Sequence, residues 1–231
     1  MAKFDMYTIR ARFYPGVISA LPILVLGYFI FPFEDFKNLL SFLLSLQFAG
    51  SITVSVVFLY FYSQIIRMTS KHFTDKYFCK EKGLPTTYYM MFNDPHYSKE
   101  FKTRFREKIM NKFNFSLLNE EQEGKQKKEA KKRLDETIEM VRVNLDDRLL
   151  LKKHEIWYGF FRNLISGSIF GAIFSLLNII LGIFVFKNLV LITVSAVLIV
   201  FYCLYFFQHR TFLFRAAEEY ARRLLAEFMS Q

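Results

Sequence analysis

The sequence predicts an all-α, polytopic membrane protein: four transmembrane helices in two hairpins, with a helical cytoplasmic domain inserted between spans 2 and 3. Three observations carry that reading. Hydrophobic residues make up 53% of the 231, with 29 Phe and 13 Tyr, yet 31 Lys+Arg against 21 Asp+Glu leave a net charge of +10. The two kinds of residue stand in separate blocks, whereas a soluble helix interleaves them to make one apolar stripe. Four of the apolar blocks reach the length of about 20 residues that crosses a hydrocarbon core.

The first block, Phe13–Phe33, lies between Arg12 and Glu34 and contains Pro22. Its length and the lack of a small-residue cleavage site mark it as a retained span, not a cleaved signal peptide. The second, Asn38–Ile66, follows a tight connection carrying Glu34, Asp35 and Lys37. The third and fourth, Asn163–Phe186 and Asn188–Gln208, are separated by Lys187 alone. Lipid offers backbone amides no partner, so all four are expected as helices, and the short tips make two hairpins.

The chain then divides into a cytoplasmic N-terminal segment 1–12, a hairpin 13–66, a basic helical domain 67–158, a hairpin 159–208 and an amphipathic tail 209–231. Orientation follows from the basic residues beside the spans. Residues 67–158 hold 21 Lys+Arg and 15 Asp+Glu, while each hairpin tip holds one lysine. Both termini and the central domain are therefore expected in the cytoplasm, and the tips in the periplasm of a bacterial inner membrane.

In the central domain, residues 63–82 continue span 2 as a stalk with no Pro or Gly break; Gly83 caps it and Pro85 stops it. Asn93, Asp94 and Pro95 mark a loop. Ser98 is an N-cap for a helix running to about Phe113, with Glu100 in its first turn. The charged run 119–132 reads as a solvated helix face or a loop. Ala130, Leu134, Ile138, Val141 and Leu145 recur at helical spacing, a stripe that needs a packing partner. Residues 215–230 read as a short amphipathic helix with Leu224, Leu225 and Phe228, and Phe4–Phe13 as another at the interface.

Candidate site residues fall into three groups. Within the spans, Gly167, Ser168, Gly171, Ser175, Asn178 and Gly182 form a small-and-polar seam, and Gln47, Ser51 and Ser55 share a face of span 2. Such residues let helix backbones approach and hydrogen-bond across. Packing within one bundle, an oligomer interface and a pore lining all fit this pattern. No Asp, Glu, Lys or Arg lies inside a span, which argues against a pump or ion-coupled transporter.

The second group is catalytic. Arg67 and His72 stand as R-x4-H, and Arg148 and His154 as R-x5-H, a spacing that resembles the nuclease motif of HEPN ribonucleases. Arg67 abuts a span and reads first as a lipid-headgroup anchor, with the ribonuclease pair as the alternative. Phosphate-loop, H-E-x-x-H and G-x-S-x-G patterns do not occur. Cys79 and Cys203 read as free thiols in no metal spacing. Neither a metal nor a cofactor is expected.

The third group consists of local motifs: Tyr7-Thr8-Ile9-Arg10-Ala11-Arg12 followed by Pro15; Gly83-Leu84-Pro85-Thr86-Thr87; and Tyr158-Gly159-Phe160-Phe161-Arg162-Asn163. Together they resemble a widespread family of bacterial four-span membrane proteins with a Y-T-x-R-A-R start, a G-x-P-T-T turn and a Y-G-F-R-R-N string before the third span. Phe161 departs from that pattern, where the family usually has Arg. In size and layout the chain is similar to the membrane accessory proteins of type VI-B CRISPR loci.

The resemblance implies a membrane-embedded accessory or effector of prokaryotic antiviral defence. Its expected partners are the lipid bilayer, a second copy of itself in a homo-oligomeric pore, a defence-system protein and, on the basic surface, nucleic acid. The alternatives are a membrane-anchored HEPN-like ribonuclease and a constitutive channel or scaffold. Pro85, Thr86 and Thr87 are expected to dock on Tyr158, Gly159, Arg162 and Asn163, near Arg10 and Arg12.

Overall fold

The computed structural model describes residues 6–30, 46–81, 83–145 and 148–231; of 46–55 and 75–81 it describes the backbone. Among these residues every regular element is helical. A π-helical turn, Thr8–Phe13, leads into α1, Tyr14–Ile30. Then come α2 (Leu46–Glu81), α3 (Pro85–Tyr88), α4 (Lys99–Phe113), α5 (Glu120–Lys125), α6 (Lys127–Asn144), α7 (Leu149–Phe184) and α8 (Leu189–Met229). The chain forms two compact units, one of residues 1–74 and 159–213 and one of 75–158 and 214–231.

Three described helices are long and apolar enough to cross a membrane: Thr8–Ile30, α7 and α8. The expected span Asn38–Ile66 and its hairpin tip lie partly outside the described residues; α2 covers 46 onward and runs on through the expected stalk to Glu81. The expected interfacial helix at Phe4–Phe13 is not separate, since Thr8–Phe13 passes directly into α1.

The first unit buries many polar side chains beside its apolar ones and exposes large apolar side chains. Ser19, Ser63, Ser70, Asn163, Ser168, Ser175, Asn178 and Ser195 are all buried. Leu24, Phe58, Phe61, Ile173, Leu176, Val197, Leu204 and Phe207 are exposed. A surface of this kind is stable against hydrocarbon and unstable against water. The turn between α7 and α8 is made by Lys187 at φ 47, and the Asn188 side chain accepts the Leu191 N–H at 3.1 Å as the N-cap of α8.

The second unit has an ordinary water-soluble core. Ser98 caps α4 by accepting the Phe101 N–H at 3.2 Å, and Asn114 ends it in the left-handed region at φ 50. Asn119 and Gln122 form a reciprocal capping box that starts α5 inside the charged run. The whole stripe Ala130, Leu134, Ile138, Val141 and Leu145 is buried. Its partners include Phe105 and Ile109 of α4 together with Ala221, Leu224, Leu225 and Phe228 of α8. Phe105 and Phe228 meet edge to face at 5.5 Å. The C-terminal residues thus belong to this core, as the last turns of the 41-residue α8. Each large apolar side chain buried here contributes about 1.5–3 kcal/mol.

Beneath that core lies a buried ion pair. Arg106 Nη2 meets Glu123 Oε2 at 2.8 Å, while its other nitrogens donate to the Leu118 carbonyl at 2.9 Å and the Met90 carbonyl at 3.0 Å. Glu123 Oε1 also accepts the Phe92 N–H at 2.5 Å. Buried charge persists only with such complete partnering.

Candidate functional site

The first unit is organised around what proline does to a helix. Proline has no N–H, so the carbonyl four residues earlier loses its intrahelical donor. In α1, Pro22 removes the donor for Ile18. Tyr202 of α8 replaces it, its hydroxyl donating to the Ile18 carbonyl at 2.6 Å. Pro15 likewise leaves the Ala11 carbonyl without the N–H of residue 15, and Asn163 Nδ2 of α7 donates to it at 2.6 Å. In hydrocarbon, where water is not available, such replacement is what allows proline inside a span.

Asn163 is a three-helix junction. Its Oδ1 accepts the Ser70 hydroxyl of α2 at 2.8 Å while its amide holds Ala11. Gly159, one turn earlier, lies where an added Cβ would fall 2.9 Å from Ala11 Cβ and 3.1 Å from the Tyr7 hydroxyl. The residues of Y-T-I-R-A-R and Y-G-F-F-R-N therefore meet directly at Ala11, Gly159 and Asn163. Arg10 is exposed, and the Arg12 guanidinium lies 5.2 Å from the Tyr7 ring centroid. Tyr158 belongs to the second unit, where its ring stacks on Tyr220 at 6.3 Å.

The seam of α7 turns toward neighbours of its own chain. A Cβ on Gly171 would strike the Tyr202 ring at 2.5 Å, one on Gly182 would meet Ile192 at 2.8 Å, and one on Gly167 would meet Ser19 at 3.2 Å. Asn178 Nδ2 donates to the Pro22 carbonyl at 2.7 Å, and Ser168 bonds the Ile165 carbonyl of its own helix at 2.7 Å. Ser175 is fully buried. The side chains of Gln47, Ser51, Ser55 and Cys79 lie outside the described residues; Cys203 is a free thiol.

The P-T-T turn becomes α3, with Pro85 in its first turn, following Gly83 at φ 94. Pro85, Thr86 and Thr87 are buried against α6, and Thr87 Oγ1 donates to Asp135 Oδ1 at 2.5 Å. That hydrogen bond fixes the turn within the second unit. Arg67 and His72 are both exposed on one continuous helix, where five residues of spacing turn their side chains about 140° apart. His154 Nδ1 lies 3.8 Å from Glu219 Oε2.

Sequence patterns missed Tyr202 and Ser70 as structural partners. The signal for Tyr202 was present in part: a proline inside a span demands a donor from elsewhere, and a hydroxyl in a facing apolar run can supply it.

No family model, curated protein or solved structure matches this chain. Among the described residues the fold is all-helical, with three helices long and apolar enough to cross a membrane and a buried polar junction between helices of the first unit.

Proposed function

We propose that this chain is a four-span, multi-pass protein of the cell inner membrane, with both termini and the second unit in the cytoplasm. In that place it acts as an accessory or effector of a prokaryotic antiviral defence system, through partner binding rather than catalysis. The observation that carries the membrane reading is the surface of the first unit, where leucines, valines and phenylalanines stand exposed while serines and asparagines are buried. Orientation is supported by the excess of Lys and Arg in 67–158. The defence role is supported by the three motifs, two of which meet at Asn163.

A pore built from the α7 seam has less support, because Gly167, Gly171, Asn178 and Gly182 already engage α1 and α8 of the same chain. A membrane-perturbing effector would have to use the exposed apolar faces instead. A ribonuclease using Arg67 and His72 would need a second copy or a rearranged helix to converge them.

The test is phage challenge of cells carrying the chain in its native locus, with plaque counts and membrane potential recorded together. Protection that disappears when the chain is deleted supports the defence role, and depolarisation during infection identifies membrane perturbation as its means. Equal plating with and without the chain refutes the proposal.

A further inference from the structure

Charge is arranged along α6 against the helix's own dipole. Residues 125–133 hold Lys125, Lys127, Lys128, Lys131, Lys132 and Arg133 against Glu129 alone, while residues 134–141 hold Asp135, Glu136 and Glu139 with no basic residue. Acids at its start and bases at its end stabilise a helix, so this order works against α6 in both halves. Gln126 supplies no side-chain cap to relieve the first turn. Lys127 stands four residues before Lys131, and Lys128 four before Lys132; like charges at that spacing repel. Folding gives no reason for such an order, whereas an external polyanion does.

The basic end of α6 borders a groove of about 700 Å³. Lys125, Lys127, Lys128 and Arg133 line it, Glu129 is its one carboxylate, and no apolar side chain lines it among the described residues. Arg133 engages Glu129 at 3.0 Å, and Lys125 is paired with Glu121 at 2.6 Å. Lys127 and Lys128 are exposed and make no ion pair among the described residues. Lys132, on their flank, meets Glu136 only at 4.0 Å across solvent-exposed side chains, a pair worth little. Lys131 is committed elsewhere, its Cε lying 2.7 Å from where a Cβ on Gly83 would fall.

This chemistry discriminates among anionic partners. A protein partner needs a buried aromatic or apolar anchor, which the groove does not offer. A nucleic-acid backbone needs only positive charge, since counterion release drives its binding. A duplex is stiff over about 150 base pairs and would touch only the rim, whereas a single strand can bend its phosphates inward. We infer that the groove at Lys127 and Lys128, with Lys132 on its flank, binds the phosphate backbone of a single-stranded nucleic acid. With no aromatic ring to stack on, the bases are not discriminated. The inference names a partner class that the function proposed above leaves open, and it rests on neither the membrane nor the defence reading.

The test is fluorescence anisotropy of a short labelled oligoadenylate RNA with the full-length protein in neutral detergent, at salt from about 50 to 200 mM. Three phosphate contacts give log K a slope of about −2 against log salt, and Lys127→Gln/Lys128→Gln should flatten it by about 1.4 and weaken binding at least tenfold at the lowest salt. That double variant should melt no lower than the natural protein, because cations leave the first turn of α6, so lost binding is not lost fold. Lys153→Gln, at another exposed lysine of the second unit, should bind normally. Oligouridylate should bind as oligoadenylate does, and a duplex or a polyglutamate peptide of equal length at least tenfold more weakly. The inference is overturned if the single strand shows no salt-sensitive binding, if the double variant binds as the natural protein does, or if duplex or polyglutamate binds equally well. The plaque assay reads the defence role separately, so either can fail alone.

Discussion

Replacing Tyr202 by Phe isolates a single hydroxyl. The ring that packs on Gly171 remains, and only the 2.6 Å bond to the Ile18 carbonyl is lost. Interhelical hydrogen bonds in membrane proteins average about 0.6 kcal/mol, with a maximum near 1.7, because the reference state within the membrane also finds partners; a helix carbonyl moreover ordinarily keeps its own intrahelical donor. Here Pro22 has removed that donor, so the loss should approach the cost of an unpaired buried carbonyl, about 1–2 kcal/mol. The assay is reversible unfolding in mixed micelles titrated with dodecyl sulfate. A second background, Pro22→Ala, restores an N–H aimed at Ile18. In that background Tyr202→Phe should cost about half as much or less, a coupling readable from the double-mutant cycle. Equal costs in the two backgrounds would refute the idea that Tyr202 stands in for the missing amide.

Asn163→Leu should lower bundle stability by about 1–3 kcal/mol in the same titration, since it strips the Ala11 carbonyl and the Ser70 hydroxyl together. Glu123→Ala leaves Arg106 charged and buried, and should destabilise the second unit by about 3–5 kcal/mol in thermal denaturation. Burial, reinforced by its bond to Glu218 Oε1 at 2.6 Å, raises the Tyr89 phenol above the ordinary 10.0. A raised folded-state value gives stability that is complete below pH 10 and lost as pH climbs above it. Tyr89→Phe should therefore flatten the fall of Tm above pH 10, measured against the natural protein in the same buffers.

The sequence showed the helices plainly where periodicity and length speak: the stripe from Ala130 to Leu145, the Ser98 cap and the apolar runs of α1, α7 and α8. It did not show where each helix stops. The stretches α7 and α8 run 36 and 41 residues, because apolar residues beyond each span, such as Leu224 and Phe228, continue the helical period into the core of the second unit. The charged run 119–132 resolved into two helices because Asn119 and Gln122 supply a capping box that hydropathy does not register. Of the candidate site, Ala11, Gly159 and Asn163 were visible as motif residues, but their pairing was not, since no side-chain pattern says which residue answers the carbonyl freed by Pro15. The tie from Thr87 to Asp135 crosses 48 residues and has no local signal either.

The central claim is that apolar helices hold the second unit on the cytoplasmic side of a membrane. Single cysteines at Lys187 and Lys125, in a background where Cys79 and Cys203 are serine, test it with a membrane-impermeant maleimide. In cells with only the outer membrane opened, Lys187→Cys should label and Lys125→Cys should label only after the inner membrane is permeabilised. Labelling of position 125 in sealed cells, or recovery of the chain in the soluble fraction, would contradict it.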